Sequence, residues 1–156
     1  MAIFGRKLRM RAIITSFRLF QGHPLQMNNT DLVFQSYGRC CRKDEFFVDF
    51  YDFFMSSSDA IRNRFVDTDM AAQRHLLRNG VMQIILVARG MSDRKLRDLG
   101  ESHNRSNYNI KPEWYDLWEQ SLLKTVRAHD PEWTPELQQA WREVLKPGIE
   151  LIRGVY

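Results

Sequence analysis

Cysteine is scarce in this chain: two residues among 156, and they are neighbours, Cys40 and Cys41. Adjacent side chains diverge, so they neither bridge each other nor staple a secreted scaffold, and two thiols cannot complete a zinc site. Free thiols near a helix end, in a reducing cytoplasm, fit this usage. Long apolar runs are missing as well. No stretch approaches 18 uncharged apolar residues, which excludes a transmembrane helix. Eight glycines and five prolines are too few for a low-complexity or collagen-like chain. No segment alternates apolar and polar β-branched residues, so no sheet is expected. Gly-rich phosphate loops, paired-histidine zinc spacings and the G-x-S-x-G elbow are all lacking.

One sign of charge is absent from residues 1–26, which hold Arg6, Lys7, Arg9, Arg11 and Arg18 and no acid. Of 23 basic residues these five lie in the leader, which leaves 18 against 19 acidic side chains for everything after it. The formal charge of +4 therefore belongs to the leader. The nearly neutral body has no electrostatic footprint for nucleic acid. The basic segment fits three accounts: an amphipathic helix on an anionic membrane, an organelle presequence, or a start assigned upstream of a true Met27. The chain thus divides into a basic extension, 1–26, and one domain, 27–156.

What is present is helical signal. Apolar residues make up 44% of the chain and aromatics 12%, enough for one real core. Asn29 or Thr30 can cap a first helix to about Arg39. A second pattern runs from Asp44 to Met55 through Phe46, Phe47, Phe50, Tyr51, Phe53 and Phe54. Ser58 or Asp59 opens a short helix to Phe65. Thr68 or Asp69 caps a long one to Arg89, where Gly90 stops it. Ser92 begins a helix ending near His103. The polar stretch Asn104–Ile110 leads to a helix with Pro112 in its first turn, ending near His129. Thr134-Pro135-Glu136 starts the last helix, which Pro147 and Gly148 should kink or loosen. The expectation is an all-α domain of about seven helices.

Three polar side chains interrupt apolar stripes. Gln73 shares a helix face with Leu77, Gly80 and Ile84. His103 ends the stripe of Leu96 and Leu99, with Ser102 beside it. Tyr51 puts a hydroxyl on the stripe of Phe47 and Phe54. Buried polar groups need partners. Each could be an ordinary core residue satisfied by backbone, or the three could meet a shared ligand; spacing alone leaves both open. The other histidines compete poorly. His23 is in the leader, His129 sits at a helix end where a cation suits the dipole, and His75 points away from the Gln73 stripe.

These residues resemble a bacterial globin of the single-domain, flavohemoglobin-like kind. The resemblance is carried by Phe50-Tyr51-Asp52 with Phe65 fourteen residues after Tyr51, then Gln73 with Leu77. Leu99-Gly100-Glu101-Ser102-His103, Ile110-Lys111-Pro112-Glu113-Trp114-Tyr115 and Trp141 follow in order. It covers about residues 28–156 and implies a three-on-three helical sandwich. Residue by residue, it implies that His103 binds the iron of haem b and that Ser102 helps orient the ring or meets a propionate. It makes Phe65 and Leu99 pocket residues, with Phe65 flat on the porphyrin, and sets Tyr115 beneath the proximal side. Tyr51 and Gln73 become donors to a diatomic ligand, with Leu77 crowding it. A phenol and an amide aimed at O₂, which takes on negative charge, favour it over CO.

The same resemblance implies reversible binding of O₂, NO and CO, for O₂ storage or NO scavenging. A gas sensor acting through a partner protein is the alternative function, and a haem-free interaction domain a third. Relatives of the flavohemoglobin kind carry a flavin reductase and pair the proximal histidine with a late glutamate. Here the sequence ends at Tyr156, and the matching position falls near Tyr156, which is no carboxylate. Any enzyme activity is therefore expected to be at most NO dioxygenase-like, with a separate reductase. Globins of this kind also often pair as homodimers through their last helices.

Overall fold

The computed structural model describes residues 27–156, so the readings of the basic leader lie outside the described residues. Seven helices follow: α1 (Asn29–Cys40), α2 (Glu45–Ser56), α3 (Asp59–Arg64), α4 (Met70–Ala88), α5 (Arg94–His103), α6 (Trp114–His129) and α7 (Pro135–Arg153). No strand occurs among the described residues. Helices α1, α4 and α5 form one layer over α2, α6 and α7. The arrangement is the expected three-on-three all-α sandwich.

Most helix ends follow local chemistry. Asp69 caps α4 by accepting from the amides of Ala71 and Ala72. Thr134 caps α7 at Leu137, with Pro135 in the first turn. Gly90, at φ 91°, takes the left-handed conformation that ends α4. Cys40 and Cys41 are free and close α1.

Four details differ from expectation. The first cap is Asn28, whose side chain accepts from the Asp31 amide, one residue earlier than Asn29. Helix α5 starts at Arg94 rather than near Ser92. Asp93 precedes it without capping, because its carboxylate is taken by Arg97 at 2.7 Å. Pro112 lies in a turn ahead of α6, which begins at Trp114.

The fourth difference positions the site. Pro147 and Gly148 do not break α7, which runs unbroken to Arg153. Pro147 is exposed, so its missing N–H costs little core structure. Gly148 is where α4 crosses α7: a Cβ there would lie 2.8 Å from Cγ2 of Ile84. A second glycine, Gly100, brings α5 down on the end of α7, where a Cβ would meet Val155 at 2.8 Å and the Ile152 carbonyl at 3.1 Å. These two close approaches set the heights of α4 and α5. Those are the helices that carry Gln73 and His103. Beneath them Trp141, Phe46, Phe50, Leu122 and Ile85 are wholly buried.

Candidate functional site

Helix α2 buries Phe46, Phe47, Phe50, Tyr51 and Phe54 along one face. This turns the Tyr51 hydroxyl inward, toward α4. Gln73 lies one turn into α4, just past the Asp69 cap. Its Nε2 donates to the Tyr51 oxygen at 3.1 Å, and the Tyr51 O–H reaches the Gln73 carbonyl at 3.3 Å. That carbonyl lies inside a helix, so the second contact is a long, shared bond. Burial pushes the Tyr51 phenol up to about 12, against the Gln73 hydrogen bond and the Arg74 charge, which pull the other way. The phenol stays protonated at neutral pH and remains a donor.

Phe65 follows α3 and meets the Tyr51 ring edge-on, with centroids 5.4 Å apart. Leu77 is buried one turn beyond Gln73. Tyr51, Phe65, Gln73 and Leu77 thus form one group, built from α2, the α3 end and α4.

A second group belongs to α5 and α6. His103 is the last residue of α5 and half-buried. Its Nδ1 lies 3.0 Å from the hydroxyl of Tyr115, in the first turn of α6. Burial pushes the His103 imidazole below its usual range, which favours the neutral ring. Burial also pushes the Tyr115 phenol up to about 12, while the Arg153 charge lowers it. In the tautomer whose Nδ1–H donates to the Tyr115 oxygen, the lone pair of the neutral ring lies at Nε2, which has no hydrogen-bond partner among the described residues. Ser102 Oγ donates to the Leu99 carbonyl at 2.7 Å and does not touch the His103 ring. Tyr115, then, is the residue that orients the imidazole. Leu99, Ile110 and Trp114 are half-buried apolar neighbours on the same two elements and the loop between them.

That loop is tightly tied. Asn104 Oδ1 accepts from the amides of Ser106 and Asn107 at 3.0 and 3.1 Å, and Asn107 Nδ2 donates to the Glu101 carbonyl. The Tyr108 and Ile110 amides return to the carbonyls of Ser102 and His103. Asn109 takes φ 49°, a conformation asparagine tolerates. An open cavity of about 420 Å³ is lined by Ser102, Asn107 and Tyr108.

The remaining described histidines are otherwise placed. His75 is exposed, as its spacing suggested. His129 Nε2 pairs with Asp49 at 2.6 Å and stacks edge-on against Phe46. No cluster of three or more metal-ligating His, Cys, Asp or Glu side chains occurs among the described residues. An iron carried in a macrocycle needs only one or two ligands from the protein. A neutral, oriented imidazole beside apolar surface is the donor set that suits that case. Residues 48–149 match the Globin family model.

The chain is a globin.

Membership in that family implies a haem-binding site. A solved protein from Pseudomonas aeruginosa PAO1, described as structurally highly homologous to a human hemoglobin, is 52% identical. The match covers 83% of this chain and 98% of that one, with a TM-score of 0.81. The bacterial single-domain resemblance drawn from the residues therefore holds. No curated protein matches the chain. No helix of the described globin is long and apolar enough to cross a membrane.

Sequence reasoning singled out every residue of the two groups above. It missed Arg64, whose guanidinium donates to the Tyr108 carbonyl across the site. It also missed Arg153, whose charge lowers the Tyr115 phenol and which pairs with Asp116 at 3.1 Å. Neither lies on an apolar stripe, so periodicity held no signal for them.

Proposed function

We propose that this globin holds haem b through His103 and reversibly binds O₂, with NO and CO as further diatomic ligands. When bound, haem b supplies the iron centre at which a gas molecule is held. The observation that carries this reading is the His103–Tyr115 hydrogen bond. It occupies Nδ1 and leaves Nε2 as the ring nitrogen without a partner among the described residues. Phe65, Leu77 and Leu99 supply apolar surface to the macrocycle and keep water out. Ser102, half-buried at the edge of the open cavity, would meet a propionate rather than orient the ring.

Tyr51 and Gln73 supply the polar side of the gas pocket. The Gln73 amide already donates to the Tyr51 oxygen, which leaves the phenol's own proton on a long 3.3 Å contact. A ligand that takes on negative charge draws that proton away from the carbonyl. O₂ gains such a bond fully and CO hardly at all, so the pair favours high O₂ affinity and slow release.

The proximal side supports binding over oxidative turnover. No carboxylate hydrogen-bonds Tyr115 among the described residues, so none adds imidazolate character to His103 through it. Storage of O₂, or NO scavenging fed by a separate reductase, fits this balance. Tyr51→Phe removes one charge-assisted donor, and stopped-flow O₂ release is expected to quicken at least about fivefold. An unchanged rate would take Tyr51 out of the gas pocket.

A further inference from the structure

Two segments flank the site without packing directly on one another through hydrogen-bonded backbone. One is the end of α3 with Phe65, on the side of Tyr51. The other is the tied loop after His103. Among the described residues a single side-chain hydrogen bond joins residues 59–69 to residues 104–110: Arg64 to the carbonyl of Tyr108. Arg64 makes no ion pair among the described residues, unlike Arg62 beside it in the helix, which pairs with Asp59. Its donors are thus free to serve the carbonyl.

The acceptor is well chosen for a clasp. The loop is held from within by Asn104 and Asn107, and from below by the Tyr156 hydroxyl, which donates to Asn109 Oδ1 at 2.9 Å. These bonds link the loop residues to one another, so a tie at Tyr108 bears on the whole loop. Its backbone also satisfies the carbonyls of Ser102 and His103, so the restraint reaches the ligand-bearing end of α5. Tyr108 itself lines the open cavity at that edge.

We propose that Arg64 is a retention residue: it clasps the loop after His103 to the Phe65 corner and slows the escape of haem. The proposal rests on the haem reading above. Arg64 acts through the loop and is a positioning residue. Its guanidinium meets a neutral carbonyl rather than a carboxylate, and the effect is read as a rate of haem loss.

The test is haem transfer from the ferric holoprotein to excess apomyoglobin, for the wild type, Arg64→Ala and Arg64→Lys. Loss from Arg64→Ala is expected to be about three- to tenfold faster, which is one hydrogen bond's worth. Arg64→Lys, which keeps a donor of similar reach, should restore most of the retention. The urea midpoint of the apoprotein should be the same for all three, because Arg64 is exposed. Three outcomes overturn the clasp alone: loss from Arg64→Ala within about twofold of the wild type, no rescue by lysine, or a fall in apoprotein stability that accounts for the faster loss. A wild type that takes up no haem overturns the clasp and the haem reading together.

Discussion

Two polar clusters sit in this aromatic-rich core, and they are finished differently. In the first, Asp130 accepts from Ser36 at 2.5 Å, from Arg39 at 2.6 and 2.9 Å, and from the Glu132 amide at 3.0 Å. Trp141 Nε1 closes it on Ser36 at 2.9 Å. Every valence is spent, and the result is a rivet between α1, the start of the α6–α7 turn, and α7. The second is the candidate site, made of two separate pairs: Tyr51 with Gln73 and His103 with Tyr115 each bond within the pair, yet His103 Nε2 has no partner among the described residues and the Tyr51 proton is weakly held. A structural cluster is closed on itself; a binding cluster keeps one donor or acceptor in reserve. Burial alone does not tell them apart, since Tyr51 is 5% exposed and Asp130 is 4%.

Substitutions should separate the clusters, and the largest effect is expected at His103. His103→Ala should abolish stable haem retention while the helical content stays, as read by pyridine haemochrome assay and circular dichroism. Full haem content in that variant would remove His103 as the ligand. Next is Arg39→Met, which leaves the buried Asp130 carboxylate without its cation. It should cost about 3 kcal/mol of stability by urea titration. Haem stoichiometry should not change, because the rivet touches no residue of the site.

Smaller is the Tyr51→Phe effect on O₂ release described above. It should leave urea stability nearly unchanged, the reverse of Arg39→Met. Smallest is a pH effect. Burial pushes the Asp130 carboxyl up, but the Arg39 and Ser36 hydrogen bonds together hold it below the usual carboxylate range. A carboxyl depressed on folding adds stability above its unfolded value and loses it as pH falls through the folded value. Stability should therefore decline from about pH 4 downward. Asp130→Asn should flatten that decline, and an equally steep one would place the sensitivity elsewhere.

The two clusters also differ in how far sequence reveals them. Tyr51, Gln73 and His103 stand out because each is a polar residue on an apolar helical stripe, and the three- and four-residue spacing can be read directly. Their pairing across helices cannot be read, and the resemblance to a globin supplied it. The rivet offered no such pattern. Ser36 to Asp130 and Ser36 to Trp141 span 94 and 105 residues, so only the packing of α1 on α7 brings them together. Asp130-Pro131 reads as a plain helix stop. Gly148 reads as a helix breaker by propensity, yet Ile84 packs against it, and close helix crossing overrides propensity. Ser92 reads as a cap, but the Asp93–Arg97 pair shifts the start of α5 by two residues.

The most direct test of the account is a visible absorption spectrum of the purified full chain, ferric, then reduced, then exposed to O₂ and to CO. The account predicts a Soret band that shifts at each step, with O₂ removed by purging and the ferrous spectrum regained. A protein that shows no Soret band after added haem would contradict it.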